Sequence, residues 1–174
     1  MKKILVVSTV ALLSACNSFI DSNDNEIITP TSQHFVGEWA CTMNGVAGTS
    51  NKVKLTEKGG VTYLGNMILP AENPLFNYTL ERSGSWAFAD NTLTYTFTKG
   101  KVSRSHSEEV LENLKTDKEK NSLEKQYFDA LRQQVNQSST TNINLAVSNF
   151  TKKAFNIEQK VSGNVRTGSC VNTL

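Results

Sequence analysis

The side chains best able to do chemistry are few in this chain and stand far apart. There are two histidines, His34 and His106, and neither lies at a catalytic spacing from a serine, cysteine or carboxylate. A Ser–His–Asp hydrolase needs its histidine held in a rigid pocket beside the nucleophile, and both histidines fall at positions that read as loop ends. No G-x-S-x-G elbow, H-E-x-x-H zinc helix or Gly-rich phosphate loop occurs. The carboxylates Glu108 and Glu109, and Glu26, sit in stretches that read as helix or tether, where water reaches them. Cys41 and Cys170, with no histidine nearby, are too few to ligate zinc. The expectation is a protein that is not an enzyme, uses no cofactor and holds no metal.

The remaining reactive group is the first cysteine, Cys16, and its context is specific. Met1-Lys2-Lys3 supplies a positive start, Ile4 to Ala15 is a run of apolar and small residues, and polar Asn17 and Ser18 follow Cys16 at once. That order marks a secretory signal, because a membrane span needs about 20 apolar residues. Leu13-Ser14-Ala15-Cys16 resembles the lipobox of bacterial lipoproteins, a Leu and two small residues before the cysteine that is modified. The resemblance implies cleavage after Ala15, diacylglycerol on the Cys16 thiol and a palmitate-type acyl chain on the new amine. Asn17 after the lipidated residue resembles, for a Gram-negative host, the signal for the outer membrane. Two acyl chains already anchor a protein stably, so the expected membrane partner is held through the N-terminal lipid.

Export has two further consequences. Lys2 and Lys3 leave with the signal, which brings the 18 basic residues down to parity with the 16 acidic ones, all of which follow Cys16. A near-neutral mature chain carries no basic stripe for nucleic acid. An oxidising compartment also favours pairing of the two remaining thiols, so a Cys41–Cys170 disulfide is expected.

These features divide the chain into a signal over 1–15, a lipidated cysteine and polar tether over 16–33, and a single domain over 34–174. As a random coil the tether holds the domain roughly 20–25 Å from the lipid. From His34 onward, short alternating runs predict strands. They are Phe35 to Met43, Lys52 to Glu57, Val61 to Asn66, Leu75 to Arg82, Ser85 to Ala89 and Thr92 to Thr98, separated by turn residues at Gly59-Gly60, Ser83-Gly84 and Asp90-Asn91. The period then becomes helical over about 105–137. Ser105-x-x-Glu108 and Thr116-x-x-Glu119 read as capping boxes, and Leu123, Tyr127, Phe128, Leu131 and Val135 form an apolar stripe. Lys115/Glu119 and Lys120/Glu124 are spaced for ion pairs along the exposed face. Strand signals return with Ile143-Leu145-Val147, with Phe155 and Ile157, and with Val165 to Val171, and Ser162-Gly163-Asn164 reads as the turn between the last two.

Gly37-Glu38-Trp39 and Gly84-Ser85-Trp86, with the Gly59-Gly60 hairpin between them and Asp90-Asn91-Thr92-Leu93-Thr94 after them, resemble the lipocalin-like domains of bacterial lipoproteins. The match covers Phe35 to Thr98. It implies a mostly β, antiparallel up-and-down barrel of about eight strands, here with a helical insertion after the sixth. Independently, closing such a barrel pairs its first and last strands, and this brings Cys41 and Cys170 within the roughly 7 Å that a disulfide spans.

Trp39, Tyr63, Phe76, Tyr78, Trp86, Phe88, Tyr95 and Phe97 are then expected to fill the barrel or line a cavity in it. Leu111, Leu114 and Phe128 of the insertion are candidates for partner contact. The expected function is that of a lipid-anchored, non-enzymatic interaction module for another envelope or host component. The alternative is a carrier of a small apolar ligand inside the barrel. An enclosed apolar space of about 300 Å³ or more favours the carrier, and a filled interior beside an exposed apolar patch on the insertion favours the module.

Overall fold

A computed structural model of the chain describes residues 24–45, 50–137 and 140–173. The signal, Cys16 and Asn17 lie outside the described residues. A 3-10 turn at Ser32–Phe35 leads into five strands: β1 (Gly37–Met43), β2 (Ser50–Leu55), β3 (Gly60–Leu69), β4 (Phe76–Ala89) and β5 (Thr92–Arg104). Two helices follow, α1 (Glu108–Thr116) and α2 (Lys118–Gln137), and then β6 (Thr141–Ser148), β7 (Ala154–Val161) and β8 (Asn164–Asn172). Each strand is antiparallel to its neighbours in sequence, and β8 pairs with β1 to close an eight-stranded up-and-down barrel.

Closure sets Cys41 directly opposite Cys170 with their Cα atoms 4.0 Å apart, and the two form a disulfide. Two hairpins turn where the sequence expects them. Asp90 and Asn91 have φ of 50° and 55°, and Ser162 and Gly163 have φ of 49° and 83°. Left-handed residues at both central positions make the tight turn whose twist matches that of the flanking strands.

The count of strands before the insertion differs from expectation. Leu75 to Arg82 and Ser85 to Ala89 are parts of one strand, β4, so the helices follow the fifth strand and not the sixth. Ser83-Gly84 is no turn. It faces a bulge in β5, where Ser83 pairs with Lys99 and Gly84 with Phe97, leaving Thr98 as the extra residue. Glycine is required here because a Cβ on Gly84 would collide with the Thr96 carbonyl oxygen.

A bulge also changes which side chains face inward. Before it, Leu93, Tyr95 and Phe97 are the buried residues of β5; after it, Val102 is. The same shift brings Arg104 opposite Tyr78 on the inner face.

The core has two parts. Inside the barrel, Trp39, Leu55, Val61, Leu93, Phe155 and the disulfide pack with Phe35 and Phe150. Phe35 lies 4.5 Å from Phe88 and 4.9 Å from Phe150, ring centre to ring centre, closing that end of the barrel with aromatic rings. The Trp39 indole N–H donates to the Phe35 carbonyl at 2.8 Å, and that of Trp86 donates to Thr56 at 3.0 Å. Both tryptophans therefore brace neighbouring segments while filling space.

The second core lies where β3, β4 and β5 run beyond the other strands. There Phe76, Tyr78 and Val102 are covered by Leu131 of α2.

Three local expectations change. The described end of the tether is docked: the Ile28 amide donates to the Phe150 carbonyl at 2.8 Å and Ile28 packs on the core. Helix α1 is capped by Ser107 rather than Ser105, since β5 runs on to Arg104 and Ser105 still donates its amide to Asn77. Asp117, rather than Thr116, caps α2, its Oδ1 accepting from the Lys120 amide at 3.0 Å.

Candidate functional site

The helical insertion is laid across the sheet so that its two helices bound an open groove of about 830 Å³. The short α1–α2 connection turns the chain back at Asp117, and the Asn121 side-chain amide donates to the Leu114 carbonyl at 3.0 Å to hold the corner. Leu111, Leu114 and Phe128 all line the groove. Leu111 is 44 % exposed, while Leu114 and Phe128 are half-buried. The three expected contact residues thus share one surface, with Leu111 its most accessible apolar member.

Beneath the groove is a cluster of polar side chains built around one carboxylate. Glu124 is the buried charged residue among the described ones, with 5 % exposure. Arg104 holds it in a two-pronged pair, Nε to Oε1 at 2.9 Å and Nη2 to Oε2 at 3.0 Å. The Tyr78 hydroxyl donates to Oε1 at 3.2 Å. His106 completes the set. Its Nδ1 lies 3.1 Å from the Asn77 amide, a group able only to donate. In the neutral ring Nδ1 is then the bare acceptor, and the proton sits on Nε2, which donates to Glu124 Oε1 at 3.1 Å.

The charges follow from this packing. Burial raises the Glu124 carboxyl, but the hydrogen bonds from Arg104, His106 and Tyr78 and the Arg104 charge outweigh it, and the group is held below its ordinary value. Tyr78 is pushed up well beyond the ordinary phenol range by burial and by the carboxylate beside it. Arg104 also lies 3.6 Å above the Phe128 ring, so the groove floor is an aromatic ring stacked on an ion-paired guanidinium. Both His106 nitrogens are engaged and its side chain is inaccessible to solvent, so it lines the groove's inner wall as a brace for Glu124. At the other end of the domain, His34 Nδ1 accepts from the Thr31 amide at 3.0 Å.

The eight aromatic candidates divide between the two cores. Trp39, Tyr95 and Phe97 are buried inside the barrel, with Tyr63, Trp86 and Phe88 packed against them. Phe76 and Tyr78 are not barrel residues; they belong to the second core under α2, because the long β3–β4–β5 strands carry them past the barrel's end. The space left inside the barrel is about 250 Å³.

Glu124, Arg104 and His106 are the members that the residue pattern did not reveal. The expected Lys120/Glu124 surface pair is replaced by a buried one with Arg104. On α1, Lys115 pairs with Glu112 and not with Glu119. A carboxylate on the same helical stripe as Leu131 was the available signal, and the distant Arg104 made its meaning invisible. No protein-family model matches this chain, and a search of curated proteins finds none that matches it.

Proposed function

We propose that this chain is a lipid-anchored, non-enzymatic interaction module of the cell envelope, held at the membrane through Cys16 and presenting the α1–α2 groove to a protein partner. One observation carries the reading: Leu111 stands exposed beside Phe128 in an open groove, while the barrel interior is largely occupied by its own side chains. Exposed apolar residues beside a stacked arginine–aromatic pair are the composition of interface anchors. A lipocalin-like carrier of a purely apolar ligand fits less well. The free interior of about 250 Å³ is below the usual range of about 300 Å³ and up.

The test uses substitutions, because removing residues 105–137 would strip the cover from Phe76 and Tyr78. Leu111→Glu places a charge at the groove's exposed apolar point, and Val165→Glu does the same at the most exposed large apolar residue of β8, which is 55 % exposed. After cross-linking in intact envelopes, a partner captured by the wild type and by Val165→Glu is expected to be lost from Leu111→Glu, with unfolding temperatures unchanged. Equal capture by both variants sinks the groove reading. In the same cells Cys16→Ser is expected to release the chain from the membrane fraction; retention of that variant would remove the anchor from the proposal.

A further inference from the structure

The part of the sheet that carries the helices on one face is left bare on the other. Helix α2 covers Tyr78 and Val102, whereas Glu81 and Lys101 alternate with the inward residues of β4 and β5 and point to the outside of the barrel. There β1 to β5 border an open hollow of about 880 Å³. Its two edges are basic: Lys52 and Lys54 stand on β2, and Lys99 and Lys101 on β5. Three strand spacings separate β2 from β5, about 14 Å. Thr62, Leu64 and Ser83 form the floor between these edges, and Leu64 is 42 % exposed. Glu38 is taken up by Lys54 at 2.8 Å. Lys52, Lys99 and Lys101 have no ion-pair partner among the described residues.

A channel of that width takes one α-helix, about 10–12 Å across with its side chains, and its charge selects an acidic one. This chain carries such a helix. On α1, Glu108, Glu109 and Glu112 are exposed, and Leu111 is 44 % exposed, the counterpart of Leu64. The remaining charges are again of opposite sign, Glu81 on the sheet and Lys115 on the helix. Helix α1 is nine residues long with none of them buried. That is shorter than a helix that holds in water unaided, so a cover would stabilise it. It cannot reach the hollow of its own chain, because Val110 and Leu114 hold it with α2 on the other side of the sheet.

We propose that the outer hollow of one molecule receives α1 of a second copy, Leu111 meeting Leu64 and the glutamates facing the lysine edges. The inference rests on the groove reading above and names its partner. Hollow and helix are different surfaces, so the contact is head-to-tail and builds rows rather than closed pairs. One helix in one channel buries less than a standard interface, which places the contact in the weak, transient class. Anchoring on a membrane raises the effective concentration that fills it.

Cysteine trapping tests this on neutral-lipid vesicles carrying the full chain, because it records brief encounters. A mixture of Leu64→Cys and Leu111→Cys is expected to give a disulfide-linked dimer on oxidation, and Val165→Cys mixed with Leu111→Cys far less. Lys52→Glu with Lys101→Glu on the Leu64→Cys chain should cut the yield about ten-fold, each change turning an attraction into a repulsion. Glu108→Lys with Glu112→Lys on the Leu111→Cys chain should restore it. Salt at about 1 M, which screens charges beyond about 3 Å, should lower the yield of the unreversed pair. Equal dimer from Leu64→Cys and Val165→Cys, or a yield indifferent to charge reversal in folded chains, overturns the proposal. So does lysine-dependent binding to phosphatidylglycerol vesicles with no dimer, which would assign the hollow to a lipid surface. A missing dimer beside a partner still lost from Leu111→Glu overturns this inference alone, whereas unaltered capture by Leu111→Glu removes the groove reading as well.

Discussion

Replacing Cys41 and Cys170 together by alanine is expected to lower stability by about 4 kcal/mol. The magnitude follows from the 129 residues that separate the two cysteines. A cross-link over so long a loop removes about 4–5 kcal/mol of conformational freedom from the unfolded chain in the chain-entropy treatment. The cost is raised by location, since both sulfurs are buried in the main core. The bond also spans the β1–β8 seam, where strands from opposite ends of the chain meet. Pairing of this kind carries the highest loop-closure cost when the covalent link is absent. At about 2–4 °C per kcal/mol for a chain of this size, the unfolding midpoint should fall by about 10 °C. Calorimetry of the double variant against the oxidised wild type measures it. A shift of only a degree or two would mean that strand pairing alone holds the barrel shut.

Replacing Glu124 by alanine is the second large change, expected to cost about 2–4 kcal/mol. The carboxylate accepts from Arg104, His106 and Tyr78, and its removal strands those donors under α2. Arg104 keeps 42 % of its side chain in water, which re-solvates part of the lost pair and holds the figure below that of a wholly buried one. Lys125→Ala, the next residue along α2 and exposed, should change stability by less than about 0.5 kcal/mol. Urea unfolding of the two variants makes the comparison, and similar values for both would show that Glu124 is not the brace of α2.

Acid titration tests the same carboxylate by its sign. Glu124 is held below the ordinary 4.5 in the folded chain. A depressed folded value means a stabilisation fully present above the unfolded value and lost as pH falls through it toward the folded one. Stability of the wild type should therefore drop below about pH 5. Glu124→Gln, which keeps the shape without the charge, should be less stable at neutral pH and lose that part of the slope. An unaltered slope in the variant would assign acid lability to other carboxylates.

Much of the barrel was legible from local pattern. Alternation in Thr92 to Phe97 and in Ile143 to Val147 is a property of the strand itself, because successive side chains point to opposite faces. Asp90-Asn91 and Ser162-Gly163 announce tight hairpins because these residues tolerate left-handed backbone. The pairing of Cys41 with Cys170 followed from closure of the sheet, which forces first and last strands together. Leu111 and Leu114 share a face of α1 by helical spacing, whereas Phe128 lies on α2 and joins them in the groove only through the turn at Asp117.

Tertiary structure alone decided the rest, for a shared reason. The β4 strand reads as two because Ser83-Gly84 has turn chemistry, and only the partner strand shows that the irregularity is an extra residue, Thr98, in β5. That residue changes the facing of everything after it, which is how Arg104 comes to the inner side opposite Tyr78. Glu124 likewise looks like half of a surface pair with Lys120 when judged four residues at a time. Its burial is set by Arg104, twenty residues away, and by His106 and Tyr78 on other elements. Periodicity and spacing record the energies of near neighbours, whereas a bulge and a buried carboxylate are decided by groups that meet only once the chain has closed.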